Sequence, residues 1–128
     1  MKSLKINRTQ RTPEIDFNLE LNTFVIKGES YPEDARKFYK PIIEFLEVHL
    51  NTVQNADIIF DFELTYFNSS TSKIISRLFN LLENSKDNNV IINWHYLEDD
   101  DYMKELGEEL ADDLAYAVFN NVPKIFPC

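Results

Sequence analysis

The sequence contains few of the residues that identify familiar classes of protein. Its 128 residues include one cysteine, two glycines and two histidines. The cysteine, Cys128, is the last residue, so no disulfide can form within the chain, and a prenylation signal would need its cysteine four places from the end. We therefore expect a reducing compartment and place the protein in the cytoplasm.

Segments that cross or target membranes are also missing from the sequence. No apolar run approaches the roughly 20 residues that span a bilayer. The start, "MKSLKINRTQRTPEIDF", lacks the apolar centre of a signal peptide. We expect no association with a membrane.

The familiar signatures of catalysis are absent too. The sequence has no Gly-rich phosphate loop, no Gly-x-Ser-x-Gly elbow and no His-rich metal motif. His49 lies on an apolar helical stripe and His95 lies in "NWHYL", positions more typical of structural histidines. We expect a protein without a cofactor or metal that is not an enzyme.

What the sequence has in excess is acidic side chains. Twenty-two acidic residues against 13 basic ones give a formal net charge of -9. Nucleic acid would approach against long-range repulsion, so it is a poor candidate partner. The charge suits a basic protein partner, although an ordinary acidic cytoplasmic surface explains it as well.

The composition and the apolar patterning indicate one packed α/β domain over residues 1–128, with 44% hydrophobic residues. Apolar residues alternate in "EIDFNLELNTFVIKGE", which predicts a β-hairpin with Asn22 and Thr23 between its strands. "ADIIFDFEL" and "VIINWHYL" predict two further strands, and "AYAVFNNVPKIF" is ambiguous but favours a short edge strand.

Three segments have helical spacing. The first is predicted to start at Ser30, with Pro32 in its first turn and a kink or break just before Pro41. The second follows "FNSSTSK", and the third covers "EDDDYMKELGEELADDL" with Leu114 on its apolar face. Strands that alternate with helices after a hairpin predict a mixed sheet with parallel central strands.

The row of hydroxyl residues at the start of the second helix needs an explanation. Asn68 or Ser69 is enough to cap the helix, with Ser70 and Thr71 in the first turn. The sequence pattern alone favours helix capping and regulation about equally as the reason for these hydroxyls. A phosphoryl group here would meet free backbone N–H groups and the positive end of the helix dipole, with Lys73 nearby.

Four blocks in order resemble the SiaC family of bacterial regulatory phosphoproteins, whose fold is similar to the STAS domain of anti-sigma factor antagonists. The blocks cover nearly the whole chain: "TPEIDF", "IKGESYPEDARKFYKPIIEFL", "LTYFNSSTSK" and "INWHYLEDDDYMKELGEEL".

The resemblance implies that the residue after Asn68 is the phosphorylated one. That residue is Ser69, where the family has threonine, and Ser70 and Thr71 are the alternatives. We expect the neighbouring residues to form the partner-binding surface: Tyr66, Phe67, Asn68, Ser70, Thr71 and Lys73.

The resemblance also implies the partners. The unmodified form would bind an effector such as a diguanylate cyclase, in cyclic di-GMP signalling and biofilm regulation. A serine/threonine kinase would abolish binding, and a PPM-type phosphatase would restore it. Two alternatives stay open: a partner switch of the anti-sigma factor antagonist type, and a metal-dependent enzyme that uses the acids of "EDDD".

Overall fold

The computed structural model describes residues 3–125, which form six strands and three helices. In chain order the elements are β1 (Ser3–Ile6), β2 (Glu14–Asn18), β3 (Thr23–Ser30), α1 (Ala35–Leu50), β4 (Asp57–Phe67), α2 (Ser69–Glu83), β5 (Asn89–Leu97), α3 (Asp101–Leu110) and β6 (Val118–Lys124).

All six strands belong to one mixed sheet, in the order β1-β2-β3-β4-β5-β6. The first three strands pair antiparallel, whereas β3, β4, β5 and β6 run parallel. The three helices form the crossovers between successive parallel strands. The predicted α/β class, N-terminal hairpin, parallel central strands and last edge strand are confirmed; β1 was not predicted.

The helices pack on one face of the sheet. Alternate strand residues point to that face, and Phe17, Phe62 and Trp94 contact α1, α2 and α3 respectively. The predicted inward residues of β4 are at most 3% exposed; these are Ile58, Phe60, Phe62 and Leu64. The opposite face carries polar side chains such as Asp61 and Asn93. One face of the sheet is therefore the core and the other is solvated.

The turn of the hairpin is longer than predicted. β2 ends at Asn18, and Leu21, expected in the strand, is 68% exposed. Asn22 adopts φ 55°, a left-handed conformation that asparagine tolerates better than most residues. Its Oδ1 lies 2.6 Å from His49 Nε2, and burial lowers the pKa of His49. His49 is thus a structural residue in this fold.

The start of α1 corrects the prediction at Ser30. The helix begins at Ala35, because the Asp34 carboxylate caps it by accepting the Lys37 N–H at 3.1 Å. Ser30 instead ends β3, where it continues the buried alternation of that strand. Of the kink or break predicted just before Pro41, the break does not occur, since α1 continues through Pro41 to Leu50.

The third helix is shorter than its apolar pattern suggested. α3 ends at Leu110, so Leu114 follows the helix. Glu83, the last residue of α2, holds the segment that follows α3. Its carboxylate accepts hydrogen bonds from the backbone N–H groups of Ala115, Tyr116 and Ala117. These bonds, led by the one from Ala117, lower the pKa of Glu83. They set the path of the chain into β6.

Candidate functional site

The row of hydroxyls lies at the carboxyl edge of the parallel strands, where the loops of α/β sheets commonly form binding sites. β4 ends at Phe67 and α2 begins two residues later, at Ser69. We call residues 68–72 the hydroxyl corner. The end of β3 lies alongside it, because Asn68 N donates to Ser30 O at 3.2 Å.

Asn68 caps α2, and none of the four hydroxyls is needed for this purpose. The backbone of Asn68 is extended, and its Oδ1 accepts the Thr71 N–H at 3.0 Å. Its carbonyl accepts the Ser72 N–H at 3.0 Å. Of the two capping residues that the sequence allowed, the structure selects Asn68. The hydroxyls therefore have other roles.

Thr71 is fully buried and anchors the corner to the core. Its hydroxyl donates to Ser30 O at 3.1 Å and lies 2.9 Å from Ser30 Oγ. Ser30 Oγ in turn lies 2.6 Å from the Tyr39 hydroxyl on α1. We call Thr71, Ser30 and Tyr39 the buried hydroxyl chain. Burial raises the pKa of Tyr39 to about 12, so this phenol stays protonated over the ordinary range of pH.

Thr71 was an alternative phosphorylation site and part of the expected partner-binding surface. A kinase cannot reach its hydroxyl in this conformation, and neither can a partner protein. Sequence reasoning also missed Ser30 and Tyr39. The sequence did indicate that Ser30 is buried, because Phe24 and Ile26 begin a series of alternate inward residues that includes Ser30.

Ser69 and Ser70 are the exposed hydroxyl residues at the start of α2. In the described part of the chain, neither backbone N–H has a hydrogen-bond acceptor. The first turn of α2 contains no acidic residue. The exposed ammonium group of Lys73 belongs to the same helix, one turn after Ser69. An anion at this position would meet the positive end of the helix dipole without competition from a nearby carboxylate of that turn.

The aromatic residues before the corner have different surroundings. Tyr66 is 50% exposed, and its ring contacts that of Tyr31 edge-on at a centroid distance of 5.8 Å. Phe67 is 8% exposed and packs against Trp94. Tyr66 can contact a partner, whereas Phe67 cannot do so in this conformation. Tyr31 is a half-buried neighbour that the sequence did not reveal.

A bulge just before the corner changes the register between β3 and β4. Gly28 pairs with Leu64, but Glu29 pairs with Tyr66, so Thr65 is the extra residue. Gly28 adopts φ 120°, a backbone conformation that residues with a side chain rarely adopt. This conformation favours glycine at the bulge. The bulge shifts Tyr66 relative to the strand beside it.

The acidic stretch has the structural role of a helix start. Asp100 caps α3 by accepting the Met103 N–H at 3.0 Å, and Asp101 lies in the first turn. Within residues 3–125 no three His, Cys, Asp or Glu side chains are grouped to hold a metal ion. His95 bonds Asp61 at 2.9 Å on the solvated face of the sheet, opposite the face on which α2 packs.

The described helices also bear on the membrane question. None of them combines the length and the hydropathy that a bilayer-spanning helix requires.

Comparisons with known proteins agree with this architecture. Residues 6–124 match the model of a family described as the SiaC family regulatory phosphoprotein. An uncharacterized protein of Pseudomonas aeruginosa (strain UCBPP-PA14) is 30% identical over 118 residues, which are 91% of this chain and 93% of that protein.

Solved structures give the same result. The crystal structure of apo-SiaC from Pseudomonas aeruginosa has a TM-score of 0.85 at 30% identity, with 95% of this chain and 99% of that chain covered. A chain in the crystal structure of the diguanylate cyclase SiaD in complex with its activator SiaC, also from Pseudomonas aeruginosa, has a TM-score of 0.88 at 28% identity. That match covers 94% of this chain and 99% of the other.

Proposed function

Because the chain belongs to the SiaC family of regulatory phosphoproteins, we propose that it is a non-enzymatic signalling adaptor controlled by phosphorylation of Ser69. The unmodified form binds and regulates a diguanylate cyclase, as a structural neighbour is the activator of the cyclase SiaD. A serine/threonine kinase adds the phosphate and a PPM-type phosphatase removes it. The adaptor works in the cytoplasm and needs no cofactor.

The observation that carries the proposal is the accessibility of Ser69. It directly follows the cap Asn68 and is exposed, whereas Thr71 two residues later is buried. Since the cap of α2 is the Asn68 side chain, phosphorylation of Ser69 removes no hydrogen bond of the cap. The phosphate can therefore be accepted without unfolding the start of the helix.

Phosphorylation changes the charge of the surface that a partner meets. A phosphoryl group adds about 1.5 to 2 negative charges at neutral pH. Beside it lie the exposed ring of Tyr66, the hydroxyl of Ser70 and the ammonium group of Lys73. A partner that contacts these groups through acidic or apolar residues loses affinity when the phosphate is present, because acidic residues are repelled by the phosphate and apolar residues remove it from water.

Intact-mass measurement after incubation with the cognate kinase tests the modified residue. Wild-type protein and Ser76→Ala should each gain one phosphate, since Ser76 is an exposed serine farther along α2. Ser69→Ala should gain none. Equal phosphate incorporation by Ser69→Ala would refute the assignment, and loss of phosphate in Ser70→Ala alone would transfer it to Ser70.

A titration with the cyclase from the same genome tests the consequence of the modification. Phosphorylated protein should bind at least roughly tenfold more weakly than unmodified protein, which corresponds to about 1.4 kcal/mol. Ser69→Asp should weaken binding in the same direction but less, because one carboxylate carries less charge than a phosphate. Equal affinity of the modified and unmodified proteins would eliminate the switch.

A further inference from the structure

Helix α1 is apolar on two sides. One side enters the core, where its buried residues are at most 9% exposed. The other side has four apolar residues at positions i, i+3, i+7 and i+10, which we call the outer stripe. Val48 in this stripe is 68% exposed and Pro41 is exposed as well, whereas the two aromatic rings are half-buried. The outer stripe consists of Phe38, Pro41, Phe45 and Val48.

The outer stripe borders an open groove between α1 and the turn that joins β2 to β3. The groove has a volume of about 530 Å³, and Leu19 of the turn forms its other wall. Leu21, in the same turn, is 68% exposed. Glu44 is the acidic residue of the lining, and burial lowers the pKa of His49 beside it. Exposed apolar groups that adjoin one another in this way are typical of an interaction surface.

This groove is remote from the hydroxyl corner. β3 runs from the turn beside the groove to the hydroxyl corner, and its 8 residues span about 25 Å. None of the residues that line the groove belongs to the hydroxyl corner or to α2. The groove is therefore accessible whether or not Ser69 is phosphorylated.

The charges beside the outer stripe are complementary to those of a second copy of the same helix. Lys37 lies four residues before Pro41, and Glu44 lies four residues before Val48, so a cation and an anion flank the stripe two turns apart. Both charged side chains are exposed, and neither forms an ion pair within residues 3–125. When two copies of α1 run antiparallel with Pro41 near the crossing, Lys37 of each lies opposite Glu44 of the other.

We propose that the outer stripe is the contact surface of a dimer, in which α1 of one copy packs antiparallel on α1 of a second copy. Two-fold symmetry makes every contact occur twice, so two Lys37–Glu44 ion pairs form. Apolar residues three and four positions apart are the spacing with which the side chains of two helices interlock. A partner with charges of one sign would repel one of the two flanking charges, whereas a second copy matches both.

The dimer should be weak. Helix α1 has 16 residues, so it is about 24 Å long, and a contact confined to one helix is smaller than the standard interface of about 800 Å² per partner. Each copy also has a net charge of -9, which opposes association at long range. We expect a dissociation constant on the order of 100 μM at physiological salt.

Sedimentation equilibrium of the full chain up to about 1 mM measures this association. Wild type should change from monomer to dimer. Lys37→Glu and Glu44→Lys should each weaken association roughly tenfold, because like charges then face each other. An equimolar mixture of these two variants should associate at least as well as wild type, since one carries two acids beside the stripe and the other two lysines.

Matched variants on α3 control for net charge. Lys104→Glu and Glu105→Lys change exposed residues by the same charges, and each should associate about as well as wild type. The apolar contact has its own pair of variants. Val48→Lys should weaken association roughly tenfold, whereas Val118→Lys, which alters a valine 52% exposed on β6, should not.

Four results would rule out the dimer: wild type that stays monomeric up to about 1 mM, charge variants of α1 that do not associate when mixed, α3 variants that weaken association as much as those of α1, or equal effects of Val48→Lys and Val118→Lys. If Val48→Lys weakens binding of the cyclase and leaves self-association unchanged, the outer stripe serves a different protein and the dimer is again wrong. The proposed function does not depend on this dimer, so either can fail alone.

Discussion

Two strand-to-helix corners at the same edge of the sheet have the same capping hydrogen bond and opposite chemistry. At the hydroxyl corner, Asn68 caps α2 by accepting the Thr71 N–H at 3.0 Å. At the start of α3, Asp100 accepts the Met103 N–H, also at 3.0 Å. We call residues 100–103 the acidic corner. The two corners can therefore be compared position by position.

The difference between the two corners with the largest consequence for charge is at the first helical position. It is Asp101 in the acidic corner and Ser69 in the hydroxyl corner. The positive end of α3 is thus permanently beside a carboxylate, whereas that of α2 is beside a hydroxyl. Phosphorylation of Ser69 would give α2 the negative charge that α3 always has. The acidic corner therefore has a fixed carboxylate at its first helical position, whereas the hydroxyl corner would gain a negative charge there only on phosphorylation of Ser69.

The third helical position shows how each corner is attached to the core. Met103 is 4% exposed, and its carbonyl accepts the Trp94 Nε1–H at 3.0 Å. Thr71 is fully buried in the same position, but its side chain is polar and depends on Ser30. The acidic corner is held by apolar packing and a backbone carbonyl, and the hydroxyl corner by side-chain hydrogen bonds.

The largest effect that we expect is on stability at this third position. Thr71→Val keeps the shape of the side chain but removes its bonds to Ser30, so the free energy of unfolding should fall by about 2 kcal/mol. Met103→Leu, the matched apolar change, should cost less than about 1.5 kcal/mol. Urea unfolding measures both. A smaller loss in Thr71→Val than in Met103→Leu would show that the buried hydroxyl chain does not hold its corner.

The buried hydroxyl chain should also make stability depend on alkaline pH. The pKa of Tyr39 is raised from 10 in the unfolded chain to about 12 in the folded protein. The unfolded state therefore loses this proton first, so the contribution is complete below pH 10 and is lost as pH rises through 12. Between pH 9 and pH 11 we expect a loss on the order of 1 kcal/mol.

Tyr39→Phe isolates this contribution, because other groups also titrate in the alkaline range. The difference in unfolding free energy between wild type and Tyr39→Phe should shrink from pH 9 to pH 11. A constant difference across that range would mean that the phenol ionises equally easily in both states, contrary to its burial in the hydroxyl chain.

Most of the architecture could be predicted from local periodicity. The alternation in β4 and β5 and the helical stripe of α2 placed these elements correctly, because each buries one face against the same core. The stripe of α3 located that helix but extended past its end at Leu110. Capping residues were a less reliable guide to where α1 begins. Ser30, Pro32 and Asp34 all suit a helix start, and the choice depended on the pairing of β3 with β4, a long-range contact.

The candidate site was only partly predictable for the same reason. The position of the hydroxyls in the chain indicated a corner of interest, and Asn68 was one of two possible caps. Which hydroxyl points inward depends on the docking of α2 against β3, since Thr71 meets Ser30 across 41 residues of sequence.

The two caps should contribute similarly, because each accepts the N–H of the third helical residue at 3.0 Å. Asn68→Ala and Asp100→Ala each remove the acceptor for one N–H at the third helical position, and each should lower stability by about 1 kcal/mol. Thermal unfolding at neutral pH measures the pair. If the loss of one cap lowers the free energy of unfolding several times more than the loss of the other, the two corners are not equivalent in energy. The effects of charge at Ser69 and at Asp101 could then not be compared directly.

The smallest effect concerns the charge at the first helical position, where the corners can be exchanged. Ser69→Asp should stabilise the protein by about 0.5 kcal/mol, because the carboxylate meets the positive end of α2, and Asp101→Asn should destabilise it by a similar amount. Both changes should shrink in 1 M salt, where screening acts within about 3 Å. Unfolding measured at low and high salt decides the question. If the two substitutions change stability in the same direction, or if salt leaves both effects intact, the helix dipole is not what distinguishes the two corners, and a phosphate on Ser69 would gain nothing from it.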